Sequence, residues 1–158
     1  MGGNDDPVLF DVGVIALAHA GTPVSEPALE HVREAIHGDL DAIVPYAAVI
    51  GAHHVLRGVY RIPRETATKL LANFLDARRI HWHRTLSESE IRSALAVAGE
   101  TNIDGWDGYY ATVAREAGVS KVLTLDSDFD RPNGIDAEVI LSRSEFAELD
   151  RFIDELSG

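Results

Sequence analysis

Short apolar runs separated by helix-length stretches constrain this chain more than any other feature. Val8-Leu9-Phe10, Ala42-Ile43-Val44, Ile80-His81-Trp82-His83, Val122-Leu123-Thr124-Leu125 and Val139-Ile140-Leu141 read as five strands. Helical patterns fill the gaps. They cover residues 14–20, stopped by Gly21, and 27–36, opened by Pro27 and stopped at Gly38. Two more run over 46–60 and from Pro63 through 75. Ser87 with Glu90 forms a capping box that opens a helix through 98, and Asp104 with Asp107 opens one that ends at Gly118. Ser142 or Ser144 caps a last helix to 156. Strands that alternate with helices must pair in parallel, because a parallel connection needs a crossover of about a dozen residues. Continuous apolar strands fit a sheet covered on both faces. The expectation is an open, three-layer α/β/α, Rossmann-like domain with a central parallel sheet of about five strands. In such sheets ligands gather beyond the carboxyl ends of the strands.

Composition sets the outer bounds. With 158 residues, 46% of them hydrophobic, the chain is expected to form a single domain over 1–158 with a core that needs no covalent staple. It has no cysteine, which excludes a disulfide framework and a thiolate metal site. The polar, acidic start does not read as a signal peptide, and no apolar run approaches the roughly 20 residues of a membrane helix, so a cytoplasmic protein with no membrane role is expected. The net charge of −12 counts against tight, non-specific nucleic-acid binding in dilute salt. Only Lys69 and Lys121 are lysines, and acids are spread along the whole chain. That pattern suits the salty cytoplasm of a halophilic archaeon, where a Debye length of about 3 Å at ~1 M salt screens self-repulsion. An ordinary acidic protein is the plainer alternative.

Three aspartates stand where the sheet should present its ligands. Asp11 ends the first strand, Asp126 ends the fourth, and Asp107 lies in the first turn of the helix that enters the fourth. Asp107 shares a helical face with Tyr110, Ala111 and Ala114, which should lean it towards the sheet edge. Converging carboxylates raise one another's pKa unless a cation offsets their repulsion, and Mg²⁺ takes one or two carboxylates plus waters and substrate phosphates. Such an ion is suited to phosphodiester hydrolysis. Taken singly, each residue has a plainer role. Asp11 is able simply to end a strand, Asp104 or Asp107 to cap a helix, and Asp126, Asp128 and Asp130 to form a polar loop. Convergence itself depends on strand order, which the pattern leaves open.

These segments, in this order, resemble the PIN-domain family over almost the whole chain. Phe10-Asp11 followed by Val12-Gly13-Val14-Ile15 is similar to its first strand and first acid. Asp107-Gly108-Tyr109-Tyr110-Ala111-Thr112-Val113-Ala114 resembles its central helix, which begins with an acidic ligand. Val122-Leu123-Thr124-Leu125-Asp126-Ser127-Asp128-Phe129 resembles its strand and acidic loop. The resemblance implies a metal-dependent RNA endonuclease using Mg²⁺ or Mn²⁺. Asp11, Asp107 and Asp126 would be the metal ligands and Asp128 a further catalytic acid, with RNA as the substrate and a homodimer as the assembly. It also implies a VapC-like toxin held by a small antitoxin. One position departs from the family pattern. The glutamate usual on the helix after the second strand falls at Gly51, within a stretch, Ala47 to Ala52, that contains no acid. A weakened PIN domain that binds RNA or a protein partner without efficient cleavage is therefore the alternative.

Other residues weigh less. His54, three residues after Gly51 on the same face, is a candidate auxiliary ligand or proton donor, as Asp104 is a candidate auxiliary acid; a hydrogen-bonded helix histidine is the plainer account. His81 and His83 share one face of their strand, without an evident third zinc ligand. Arg57, Arg61 and Arg64 make either an RNA-phosphate patch or salt bridges to the many acids. Phosphotransfer on Asp11 is disfavoured by Gly13, which replaces the second aspartate such chemistry uses. Nucleotide-cofactor binding is disfavoured because no glycine-rich loop follows the first strand.

Overall fold

The computed structural model describes residues 6–125 and 134–158. Five strands, β1 (Val8–Phe10), β2 (Ala42–Pro45), β3 (His81–His83), β4 (Lys121–Thr124) and β5 (Asp136–Val139), form one sheet in the order β3-β2-β1-β4-β5. Every pairing is parallel, with Leu9 beside Ile43 on one flank and Val122 on the other. The helices are α1 (Val12–Ala20), α2 (Glu26–His37), α3 (Tyr46–Gly58), α4 (Arg64–Phe74), α5 (Glu88–Thr101), α6 (Gly105–Ala117) and α7 (Arg143–Ser157).

The chain moves outward from β1 through β2 to β3, then returns past β1 to β4. Right-handed crossovers place the helices of these two directions on opposite faces. Accordingly α1 packs on α2, α3 and α4, whereas α5 packs on α6. The central strands are buried runs because both faces are covered, and Leu9, Phe10, Val44, Val122 and Leu123 are buried with Ile15, Leu17, Leu56 and Tyr110 between the layers. α1 carries no charged residue except His19 near its end, which fits a helix enclosed by its neighbours. α5 and α6 lie so close that a Cβ on Gly108 would collide with the Ala94 carbonyl oxygen. This contact fixes the first turn of α6, which carries Asp107.

The fold is the expected PIN-like, three-layer α/β arrangement, with one strand displaced. The fifth strand is not Val139-Ile140-Leu141 but Asp136–Val139, with Lys121 facing Asp136 and Thr124 facing Val139. It is an outer strand with largely exposed side chains, so it needs no apolar run. Leu141 is buried beyond the strand, where the chain turns into α7. Ser142, rather than Ser144, caps that helix through a capping box with Glu145. Among the described residues no helix is long and apolar enough to cross a membrane.

Candidate functional site

Strand order reverses between β1 and β4, and in open α/β sheets that is where a crevice forms beyond the carboxyl ends. Asp11 stands there. Its backbone N–H donates to the Leu123 carbonyl of β4 (3.3 Å), which ties it to the neighbouring strand. Its buried carboxylate is the N-cap of α1, where Oδ1 accepts from the Val14 N–H at 2.9 Å. The plainer role of this residue is therefore present in the structure, and it leaves a carboxylate at the head of a helix whose dipole favours negative charge.

α6 brings a second carboxylate pair. Asp104 is its N-cap, with Oδ1 accepting from the Asp107 N–H at 3.0 Å, and Asp107 lies half-buried in the first turn. Tyr110, one turn on and 1% exposed, links the two helix starts. Its hydroxyl accepts from the Val12 N–H at 2.8 Å, satisfying one of the donors that α1 cannot satisfy internally. Burial, followed by the negative charge of Asp11, pushes this phenol well above its usual value; the Val12 bond opposes the shift, and Asp107 and Asp104 add to it. One hydroxyl thus lies within the electrostatic reach of three carboxylates from two elements. Asp126 and Asp128 lie outside the described residues.

Gly51 and His54 line one cleft of about 660 Å³, together with Val12, Ala47, Ile50 and Trp106. A Cβ on Gly51 would lie 2.8 Å from Val12 Cγ2 and 3.1 Å from Trp106 Cζ2. The space that a side chain at position 51 would need is therefore taken first by Val12 and then by the indole. His53 faces away from this cleft and pairs with the Thr68 hydroxyl at 3.0 Å. Arg57 donates to the Ile62 carbonyl at 3.2 Å.

The two strand histidines go separate ways. His81 pairs with Asp41 at 2.7 Å. His83 meets Glu90 at 2.8 Å and Glu116 at 4.0 Å, so two carboxylates do gather at this histidine, which the sequence pattern did not reveal. Their ligand atoms all lie within 4.8 Å of one another. Hydrogen bonds already occupy Glu90: Oε1 accepts the Ser87 N–H of the capping box, and Oε2 accepts the Thr85 hydroxyl at 2.9 Å. Burial raises the Glu90 carboxyl, but bonds from Ser87, His83, Glu116 and Thr85 outweigh it and bring it down to about 2. Glu116 moves the other way, raised by its hydrogen bond to Glu90, then by burial and by the Glu90 charge, with His83 pulling it down.

This pattern sets a pH dependence of stability. A carboxylate held below its unfolded value of 4.5 stabilises the fold above that pH, and the contribution fades as pH falls towards about 2. Glu116, being raised, favours the fold most at low pH and so offsets part of the loss. Glu90→Ala is expected to lower stability by about 2–3 kcal/mol at neutral pH, and by less at about pH 3, where part of the Glu90 contribution is already lost. Urea unfolding of both proteins at the two pH values measures the difference.

The fold is shared with solved structures at low sequence identity. Mycobacterium tuberculosis VapC20, described as a sarcin-ricin loop cleaving toxin, aligns with a TM-score of 0.61 and 14% identity, over 78% of this chain and 92% of that one. PAE2754 from Pyrobaculum aerophilum aligns with a TM-score of 0.57 and 15% identity, over 96% and 98% of the two chains. No family model matches the sequence, and no curated protein matches it. What is shared at these identities is the architecture, a PIN-like α/β fold.

Proposed function

We propose that this chain is a metal-dependent RNA endonuclease of the PIN type. The observation that carries the reading is the place of Asp11 at the carboxyl end of β1, at the switch point of the sheet, beside a Val12 N–H that bonds Tyr110 of α6, the helix whose first turn carries Asp107. The donor set fits Mg²⁺ or Mn²⁺, since it consists of hard carboxylate oxygens with no sulfur. Asp11, Asp107 and Asp126 would hold the ion, with Asp128 as a further catalytic acid. When bound, such an ion offsets the negative charge that develops on a phosphodiester under attack.

The chain's own residues perform the remaining tasks. Tyr110 and the Val14 N–H orient Asp11, and Asp104 fixes the first turn of α6 and hence Asp107. His54, exposed and lining the cleft, would serve as an auxiliary proton donor. A VapC-like toxin role, a small antitoxin, a homodimer and a salt-rich cytoplasm belong to the same proposal. Its support is the shared fold of VapC20 and, for the salt, the charge of −12. Cleavage of a mixed RNA substrate at high salt, with Mn²⁺ or with EDTA, tests the reading: Mn²⁺-dependent cutting supports it, and equal cutting with EDTA overturns it.

Gly51 favours a second reading, a PIN-like protein that binds RNA or a protein partner with little cleavage. An acid introduced at position 51 meets Val12 and Trp106, so Gly51→Glu alone should disturb the site, and Val12 must shift in any variant that carries it. The more useful variant combines Gly51→Glu with Trp106→Ala. A large gain of cleavage in this double variant would show the natural chain to be weakened.

A further inference from the structure

We propose that Trp106 and the cleft beside Gly51 hold one unpaired nucleobase of the RNA next to the carboxylates. The inference rests on the ribonuclease reading for its substrate and on separate geometry for its site. The Trp106 indole stacks on Tyr110, with ring centroids 5.7 Å apart and planes 24° apart, and meets Tyr109 edge-on at 6.0 Å. Tyr110 is itself fixed by the Val12 N–H. Trp106 is therefore a braced platform rather than a loose surface ring, yet it remains 43% exposed. A cleft lies beside this indole, lined by Val12, Ala47, Gly51, His54 and Ile50, the last 75% exposed.

The position of the cleft points to a nucleotide. Val12 follows Asp11, and Trp106 lies between Asp104 and Asp107. The walls of the cleft are thus immediate chain neighbours of the carboxylates, and an occupant needs a flat apolar part alongside an anionic part that a bound cation can meet. A nucleotide has both. The protein also has 26 acids against 14 lysines and arginines, so phosphate pairing is a weak source of affinity. Base stacking on an aromatic ring supplies affinity with little dependence on sequence, and salt does not screen it as it screens charge. His54 at the rim adds a group able to hydrogen-bond a base edge.

Fluorescence tests the slot directly, because the chain has two tryptophans. In a Trp82→Phe background Trp106 is the remaining fluorophore. A short single-stranded oligoribonucleotide, added with EDTA to prevent metal-dependent cutting, is expected to quench it, and an abasic oligomer with the same phosphates is not. Trp106→Ala in the natural chain should weaken oligonucleotide binding roughly ten- to a hundred-fold, with Trp106→Phe retaining most of it. In cleavage assays Trp106→Ala should raise KM more than it lowers kcat. Circular dichroism confirms that each variant is folded. Equal quenching by the abasic oligomer, or unchanged binding and KM in folded Trp106→Ala, overturns the slot. So does an absence of quenching combined with a change of oligomeric state in Trp106→Ala, which would make a protein surface the occupant. The two readings fail separately. Base-dependent quenching without cleavage under any metal keeps the slot and removes the nuclease, whereas metal-dependent cleavage with an unchanged KM does the reverse.

Discussion

Asp107→Asn is expected to lower metal-dependent RNA cleavage by more than about 100-fold, beyond the range seen when a group merely supporting a metal ligand is lost. The substitution keeps the size and shape of the side chain and leaves the Asp107 N–H bonded to Asp104, so the start of α6 should be undisturbed. What changes is charge at a carboxylate in the first turn of α6 that acts on the Tyr110 phenol. Asp11 allows a finer separation, because it has a structural task as well. Asn caps a helix about as well as Asp, whereas Ala costs about 1 kcal/mol. Asp11→Asn should therefore keep the stability of the parent and lose cleavage, and Asp11→Ala should lose both. Cleavage rates measured beside urea unfolding curves distinguish them. Full activity in Asp11→Asn would reduce Asp11 to a cap.

The second large effect falls on stability. Tyr110→Phe keeps the ring but removes the acceptor for the Val12 N–H, a bond between residues 98 positions apart. Leaving that donor unsatisfied in a largely enclosed place should cost about 1–3 kcal/mol. Tyr110→Ala removes the ring as well, and cavity formation at a site 1% exposed should cost about 3–5 kcal/mol. The Phe variant is the more informative of the two. It frees the first turn of α1 from α6 without emptying the core, so Asp11 loses one of the contacts that brace its neighbourhood, while its bonds to Leu123 and Val14 remain. Denaturant unfolding gives the stability term, and a fall in cleavage measured well below the unfolding midpoint gives the positioning term.

Much of this architecture is legible in the residues, and the exceptions have physical reasons. β1, β2 and β4 are enclosed on both faces, so only continuous apolar runs fit them, and such runs stand out. β5 is an outer strand reading Asp-Ala-Glu-Val, and its composition carries no burial signal, so the neighbouring apolar run over 139–141 is a misleading cue. Helix starts at Ser87, Asp104 and Ser142 are written locally, because a cap and its partner are three residues apart. The grouping of Asp11 with Asp107 is not local. It follows from β4 lying beside β1, and no periodicity encodes strand order. Gly51 reads in sequence as a missing acid; that it lies against Val12 and Trp106, the latter 55 positions later, appears only in three dimensions. Glu90 is similarly visible as a cap but not as the partner of His83.

The central claim is that the carboxylates at the β1–β4 crevice hold a divalent cation. Mn²⁺ binding followed by electron paramagnetic resonance tests it without requiring the right RNA, using the parent, Asp11→Asn, Asp107→Asn and Glu116→Gln. The account predicts one Mn²⁺ bound by the parent and by Glu116→Gln, and lost in both aspartate variants. Binding that survives in the aspartate variants and disappears in Glu116→Gln would place the ion at the His83 group and contradict the account.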